Sequence, residues 1–119
     1  MARDLNSKRQ NERLQALAKR RDHDDDEALR LVMQTEDGRR VLSRLARDFG
    51  WMGDIWDGQN ARQTDFNAGL QSAARKLMGW AERVALAEFL TAIGEATRRD
   101  VEMAELAKAA TIEKDEDNG

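Results

Sequence analysis

Apolar residues recur along this chain three and four positions apart, with charged residues between them, which is the period of an amphipathic helix. Leu14, Leu17 and Ala18 form the first such cluster and predict a helix from about Leu5 to Arg20. With so few large apolar residues, that helix needs a partner or stays disordered when free. The carboxylate run from Asp22 to Asp26 predicts a break and then a new start, because negative charge suits a helix N-terminus. A short helix follows from about Asp25 to Gln34, with Ala28, Leu31 and Val32 as its apolar side. Thr35-Glu36-Asp37-Gly38 reads as a second restart, with Thr35 as N-cap and two acids in the first turn. The helix from Glu36 to Phe49 carries Val41, Leu42, Leu45 and Phe49 as one stripe, and Arg40, Arg44 and Arg47 on another face.

The stretch from Gly50 to Gln63 breaks the pattern. Three glycines, Gly50, Gly53 and Gly58, interleave there with Trp51, Met52, Ile55 and Trp56. Two readings fit. Trp51, Ile55 and Trp56 fold back as a lid on a small core, or they contact a partner from a loop, where binding residues concentrate and where Trp is a frequent hot spot. Beyond the loop the helical period returns. Phe66, Leu70, Ala73, Leu77, Trp80 or Ala81, and Val84 form a heptad-like stripe that reads as core-facing. Leu86, Phe89, Leu90 and Ile93 shift the stripe, Gly94 marks a break, and a last helix runs to about Ile112 with Met103, Leu106, Ala107 and Ala110 on a narrow face. The expected fold is all-α. A helical hairpin core, 23–94, sits between a charged N-terminal helical arm, 1–22, and a long C-terminal helix, 95–112, with an acidic tail, 113–119.

Composition supports this. The chain has 119 residues, enough for one modest core, with no Pro to interrupt long helices and few β-branched or aromatic residues to invite a sheet. Cysteine is absent, which removes disulfides, thiol nucleophiles and thiolate metal sites together. No apolar run approaches the roughly 20 residues of a membrane span, and the polar N-terminus lacks the apolar stretch of a signal peptide. A membrane is therefore not an expected partner, and use inside a cell, or in something assembled there, is expected.

Charge changes the picture more. The net charge is −3, yet Arg3 to Arg21 holds seven basic residues against two acids. Lys8, Arg9, Arg13, Lys19, Arg20 and Arg21 are thus candidate phosphate contacts, sequence-independent and salt-sensitive. The acidic balance of the whole chain argues against nucleic acid as its main ligand, and an exposed basic face is commonly plain solvated surface. Asp22 to Glu27 and the C-terminus from Glu113 are acidic, as solvated ends or interaction tails are.

Catalytic chemistry finds no foothold. His23 is the single histidine, and the alternating Asp22, Asp24 and Asp26 around it fail the calcium-loop pattern at the sixth position, which is Glu27 and not Gly. There is no Walker loop, dinucleotide fingerprint or nucleophile elbow, and no serine has a histidine close in sequence. No enzyme activity, cofactor, metal or small-molecule substrate is expected. The candidate sites are partner surfaces: Trp51, Ile55 and Trp56 in the loop, and the Arg40, Arg44, Arg47 face.

The segment Thr35-Glu36-Asp37-Gly38-Arg39-Arg40-Val41-Leu42, followed by Leu45, Phe49-Gly50 and then Phe66-Asn67-Ala68-Gly69, resembles a family of small proteins encoded by tailed bacteriophages, especially short-tailed ones. The shared pattern is a T-x-x-G-R-R-x-L helix start, a glycine-containing loop and an F-N-x-G helix. The loop departs from it, with Trp51 and Trp56 where the family tends to have Phe and Ser. The resemblance implies a structural or virion-associated protein near the head–tail junction or among internal, ejected proteins. It implies no catalytic residues. Its partners would be copies of itself or portal, tail or internal proteins, and its location the virion, with the host cytoplasm during assembly. A transient scaffold or chaperone, and a nucleic-acid-binding regulator using the basic arm, are the alternatives; a membrane-active ejection peptide is weaker. For the core itself, the expectation is that Phe66 and Leu70 dock on Leu42, Leu45 and Phe49, and that Asn67 satisfies backbone groups of the loop.

Overall fold

The computed structural model describes residues 2–53 and 60–117, with side chains over 4–53 and 60–114. It is all-α, as expected. Among the described residues four helices follow in order: α1 (Ala2–Met33), α2 (Glu36–Asp48), α3 (Ala61–Val84) and α4 (Leu86–Asp117).

The expected break at Asp22–Asp26 does not occur, and α1 is continuous. No Pro interrupts it and no Gly precedes Gly38, so nothing in the run removes a helix hydrogen bond or loosens the backbone. Solvated carboxylates at helical spacing from Arg20 and Arg21 are tolerated within a helix. The first true stop is at Thr35, which adopts extended backbone. Its hydroxyl accepts from the Gly38 N–H at 2.9 Å and donates to the Val32 carbonyl at 3.0 Å. The turn is so tight that a Cβ on Gly38 would collide with the Val32 carbonyl, which accounts for glycine there.

α2 ends in a Schellman motif. Gly50 takes φ +74°, its N–H donates to the Arg47 carbonyl at 3.1 Å, and the Trp51 N–H donates to the Ala46 carbonyl at 2.9 Å. This swings Trp51 back onto the core, where its ring meets Phe89 edge-on with centroids 5.9 Å apart. Asn60 caps α3 by accepting from the Gln63 N–H.

The expected break at Gly94 is not there either. α3 instead gives way to α4 at Ala85, a single buried residue with φ −147° and ψ 59°, and α4 then runs uninterrupted through Gly94. Side chains that flank this joint fix it. Arg30 donates to the Val84 carbonyl at 3.1 Å, placing a cation at the C-terminal end of α3 where the helix dipole is negative.

The core comprises Leu29 and Met33 of α1, Leu42 and Ala46 of α2, Met78 and Ala81 of α3, then Ala85, Phe89 and Ala92. It differs in register from the expected stripes. In α3 the buried line is Gln71, Ala74, Met78 and Ala81, displaced by one residue from Leu70, Ala73 and Leu77. Phe66 does not dock on α2 but is exposed, as are Val41 and, in part, Leu45. Small alanines at the contact allow the helices to approach closely, and the larger side chains Leu77, Trp80 and Val84 pack from the sides. Gln71 holds the described start of the loop, its amide donating to the Gly50 and Gly53 carbonyls at 2.9 and 2.8 Å. Asn67 accepts from Gln63 within α3.

The molecule is long and thin, 90 × 40 × 16 Å. Its radius of gyration, 22.3 Å, far exceeds the roughly 13.5 Å of a compact chain this long. Every described residue from Asp4 to Asp25 and from Asp100 to Lys114 is exposed. Two helical arms therefore project from a core whose buried residues all lie between Leu29 and Glu95.

Candidate interaction surface

Two clamps hold the core and set where the arms point. Arg39 is the first, with its side chain 16% exposed. Its Nε donates to Glu95 Oε1 at 2.6 Å and its Nη1 to the Met33 carbonyl at 3.0 Å, so one guanidinium joins the end of α1, α2 and α4. The second is Asp26. It accepts from Trp80 Nε1 at 2.6 Å and faces the Arg83 guanidinium at 3.4 Å, tying α1 to α3. The Trp80 hydrogen bond, helped by Arg83, holds the Asp26 carboxyl below its ordinary range despite an opposing desolvation. The sequence showed Arg39 within the T-x-x-G-R-R-x-L pattern and Asp26 within the acidic run, but not their clamping role, because Glu95 and Trp80 lie more than fifty residues away.

Of the loop residues expected to contact a partner, Trp51 is half-buried against the core. Ile55 and Trp56 lie outside the described residues. Arg40, Arg44 and Arg47 are all exposed along the outer face of α2. Asp48 pairs with Arg44 at 2.7 Å and approaches Arg47 at 3.9 Å, which offsets part of that positive face. A shallow groove on the described core is lined by Glu36, Arg39, Gly94, Glu95 and Arg98, and its deepest charges, Arg39 and Glu95, already pair with each other. Among the described residues, no group of three or more His, Cys, Asp or Glu is placed to hold a metal ion, and no helix is long and apolar enough to cross a membrane.

The arms carry the remaining candidates. Lys8, Arg9, Arg13, Lys19, Arg20 and Arg21 are all exposed on α1, with a single ion pair among them, Arg21 to Asp22 at 3.8 Å. Arg9, Arg13 and Arg20 share one helix face by their spacing, and Leu14 and Leu17 lie beside it, each more than 60% exposed. On α4 the buried line Ala85, Phe89 and Ala92 continues at strict heptad spacing through Ala96, Arg99, Met103, Leu106 and Ala110. Ala96 and Arg99 are half-buried, and from Asp100 on the line is exposed, with Met103 and Leu106 each 65% exposed.

Comparison with curated proteins and with solved structures gives no match. Comparison with family models gives one, the Bbp19-like phage protein, over residues 29–94. That span coincides with the packed core, from the first buried residue, Leu29, almost to the last, Glu95, and it includes the Thr35 cap, Gly38 and Arg39. Both arms fall outside it. Since the matched span is more than half of the 119 residues, the chain belongs to the Bbp19-like phage protein family.

Proposed function

We propose that this protein is a non-enzymatic component of a phage particle that assembles by helix packing with itself or with portal, tail or internal proteins. One observation carries the reading: a small packed core holds out two helical arms whose described apolar residues stand exposed. Fully burying a leucine side chain is worth about 1.5–3 kcal/mol, so Leu14, Leu17 and Leu106 standing in water represent binding free energy available to a partner. In the shallow groove on the core, Arg39 and Glu95 are already committed to each other, which supports a binding role over catalysis. Mass spectrometry of purified particles and of precursor heads tests it. A virion component is present in mature particles. Presence in precursors alone indicates a transient scaffold, and absence from both rules out a particle role.

A second reading has its own observation. Six basic residues of α1 are exposed on one arm, so a nucleic-acid contact would be sequence-independent and weaken steeply with salt. Electrophoretic mobility of duplex DNA at two salt concentrations, with and without residues 3–21, tests that reading.

A further inference from the structure

The two arms have opposite charge. Arg3 to Arg21 holds seven basic residues and two acids, whereas Asp100 to Asp117 holds seven acids and two basic residues. Each arm also has a short apolar seam with charge along its flank. Leu14 and Leu17 have Arg13 and Arg20 beside them, and Met103, Leu106 and Ala110 have Glu102 and Glu105. Arg13, Arg20 and Glu102 occupy the positions from which charged residues select a partner helix in a two-helix seam, and Glu105 lies on the same flank, one step further toward solvent. Within one chain the arms do not meet, since all these side chains are exposed.

We infer that the basic arm of α1 packs on the acidic arm of α4 from a second copy of this chain. This rests on the reading of the protein as an assembling component and names its contact. Three observations favour a second copy over another occupant. The arms are complementary in charge and are present in equal number, so pairing α1 with α4 satisfies both at once. The acidic seam on α4 is a direct continuation of its buried core line, so a helix laid on Met103, Leu106 and Ala110 extends the existing core. The surface is also sufficient. The chain exposes 9779 Å², against about 6,500 Å² for a compact chain of its mass. The excess exceeds the roughly 800 Å² that each partner contributes to a standard interface, even with two interfaces per chain. Reciprocal contacts, α1 on α4 and α4 on α1, close as a two-fold dimer; if each arm reaches a different neighbour the contact is heterologous and forms a ring when the rotation closes and a filament when it does not.

The test uses the full chain and two charge-reversed variants, R13E/R20E on α1 and E102K/E105K on α4. Light scattering after size exclusion gives the mass of each, and circular dichroism confirms that helix content is kept. The expected result is a multiple of 13.5 kDa for the unaltered chain at low salt, falling toward monomer at high salt. Each variant alone is monomeric, and an equal mixture of the two reassembles, because the reversed charges complement each other. A monomeric unaltered chain overturns the inference, as does an oligomer that neither variant disturbs. A monomer that shifts duplex DNA, and loses that ability in R13E/R20E, assigns the basic arm to nucleic acid instead. The particle analysis is independent. A monomeric chain found in virions removes this contact and keeps the proposed function, whereas an oligomer absent from particles does the reverse.

Discussion

At the scale of the residue, two glycines make opposite predictions. Gly38 sits under the α1–α2 turn, where an added Cβ meets the Val32 carbonyl and lies 2.7 Å from Thr35 Oγ1, both of which belong to the cap. Neither atom is the loose end of a long side chain, so Gly38→Ala has to open the turn. Overpacking of this kind costs about 1–3 kcal/mol. Gly94 is an exposed interior residue of α4 with nothing within 4 Å of an added Cβ. Gly94→Ala therefore stabilises the protein by about 0.5–1 kcal/mol through lost chain entropy in the unfolded state. Urea midpoints of the two variants move in opposite directions if both sites are read correctly. Arg39 supplies a further case. Glu95→Gln leaves its guanidinium largely buried and without its anion, at a cost of about 3–5 kcal/mol, whereas R39M/E95L removes both charges and costs less than the sum of the single changes. A double-mutant cycle returns a coupling of at least about 1 kcal/mol; additive effects would remove Arg39 from its clamping role.

At the scale of the element, the docking of α1 on α3 depends on pH through Asp26. Its carboxyl titrates below the ordinary 3.8 in the folded chain, so folding favours the charged form. The contribution is whole above 3.8 and is lost as pH falls through the depressed folded value. The stability gap between the unaltered chain and Asp26→Asn is thus level at neutral pH and narrows below 3.8, measured as urea midpoints across an acid series. A gap that stays constant would mean Trp80 and Arg83 do not distinguish the charged carboxylate. The same elements show what a sequence discloses. Thr35, Gly38 and the helix end at Gly50 are legible because caps and turns are local chemistry. The acidic run was misread as a stop, since carboxylates favour a helix start without preventing continuation. The α3 stripe was misread by one residue over most of its length because Phe66, Leu70 and Leu77 outweigh Ala74 by size, while close helix approach selects Ala74 and Ala81, the latter already named beside Trp80. The joint at Ala85 carries no Pro or Gly, and only packing from Arg30 and the neighbouring helices sets it. The basic arm was visible as composition. The continuation of the buried α4 line into solvent needed the structure, because it depends on where the partner helices end.

At the scale of the molecule, the separation of core from arms predicts how the protein melts. The core can unfold cooperatively, because Leu29, Met33, Met78 and Phe89 lose their packing together. The arms add no buried residue to that event. An unsupported helix of some twenty residues is marginal in water and loses its ends progressively. On heating the monomer, the far-UV signal should therefore decline gradually before the near-UV signal of the packed tryptophans falls in one step. In an assembled particle or oligomer whose arms are covered, the early decline should vanish and the two signals should coincide. Coincident transitions in a verified monomer would mean that the arms are coupled to the core without any partner. That result would remove the physical basis for treating them as surfaces held out for assembly.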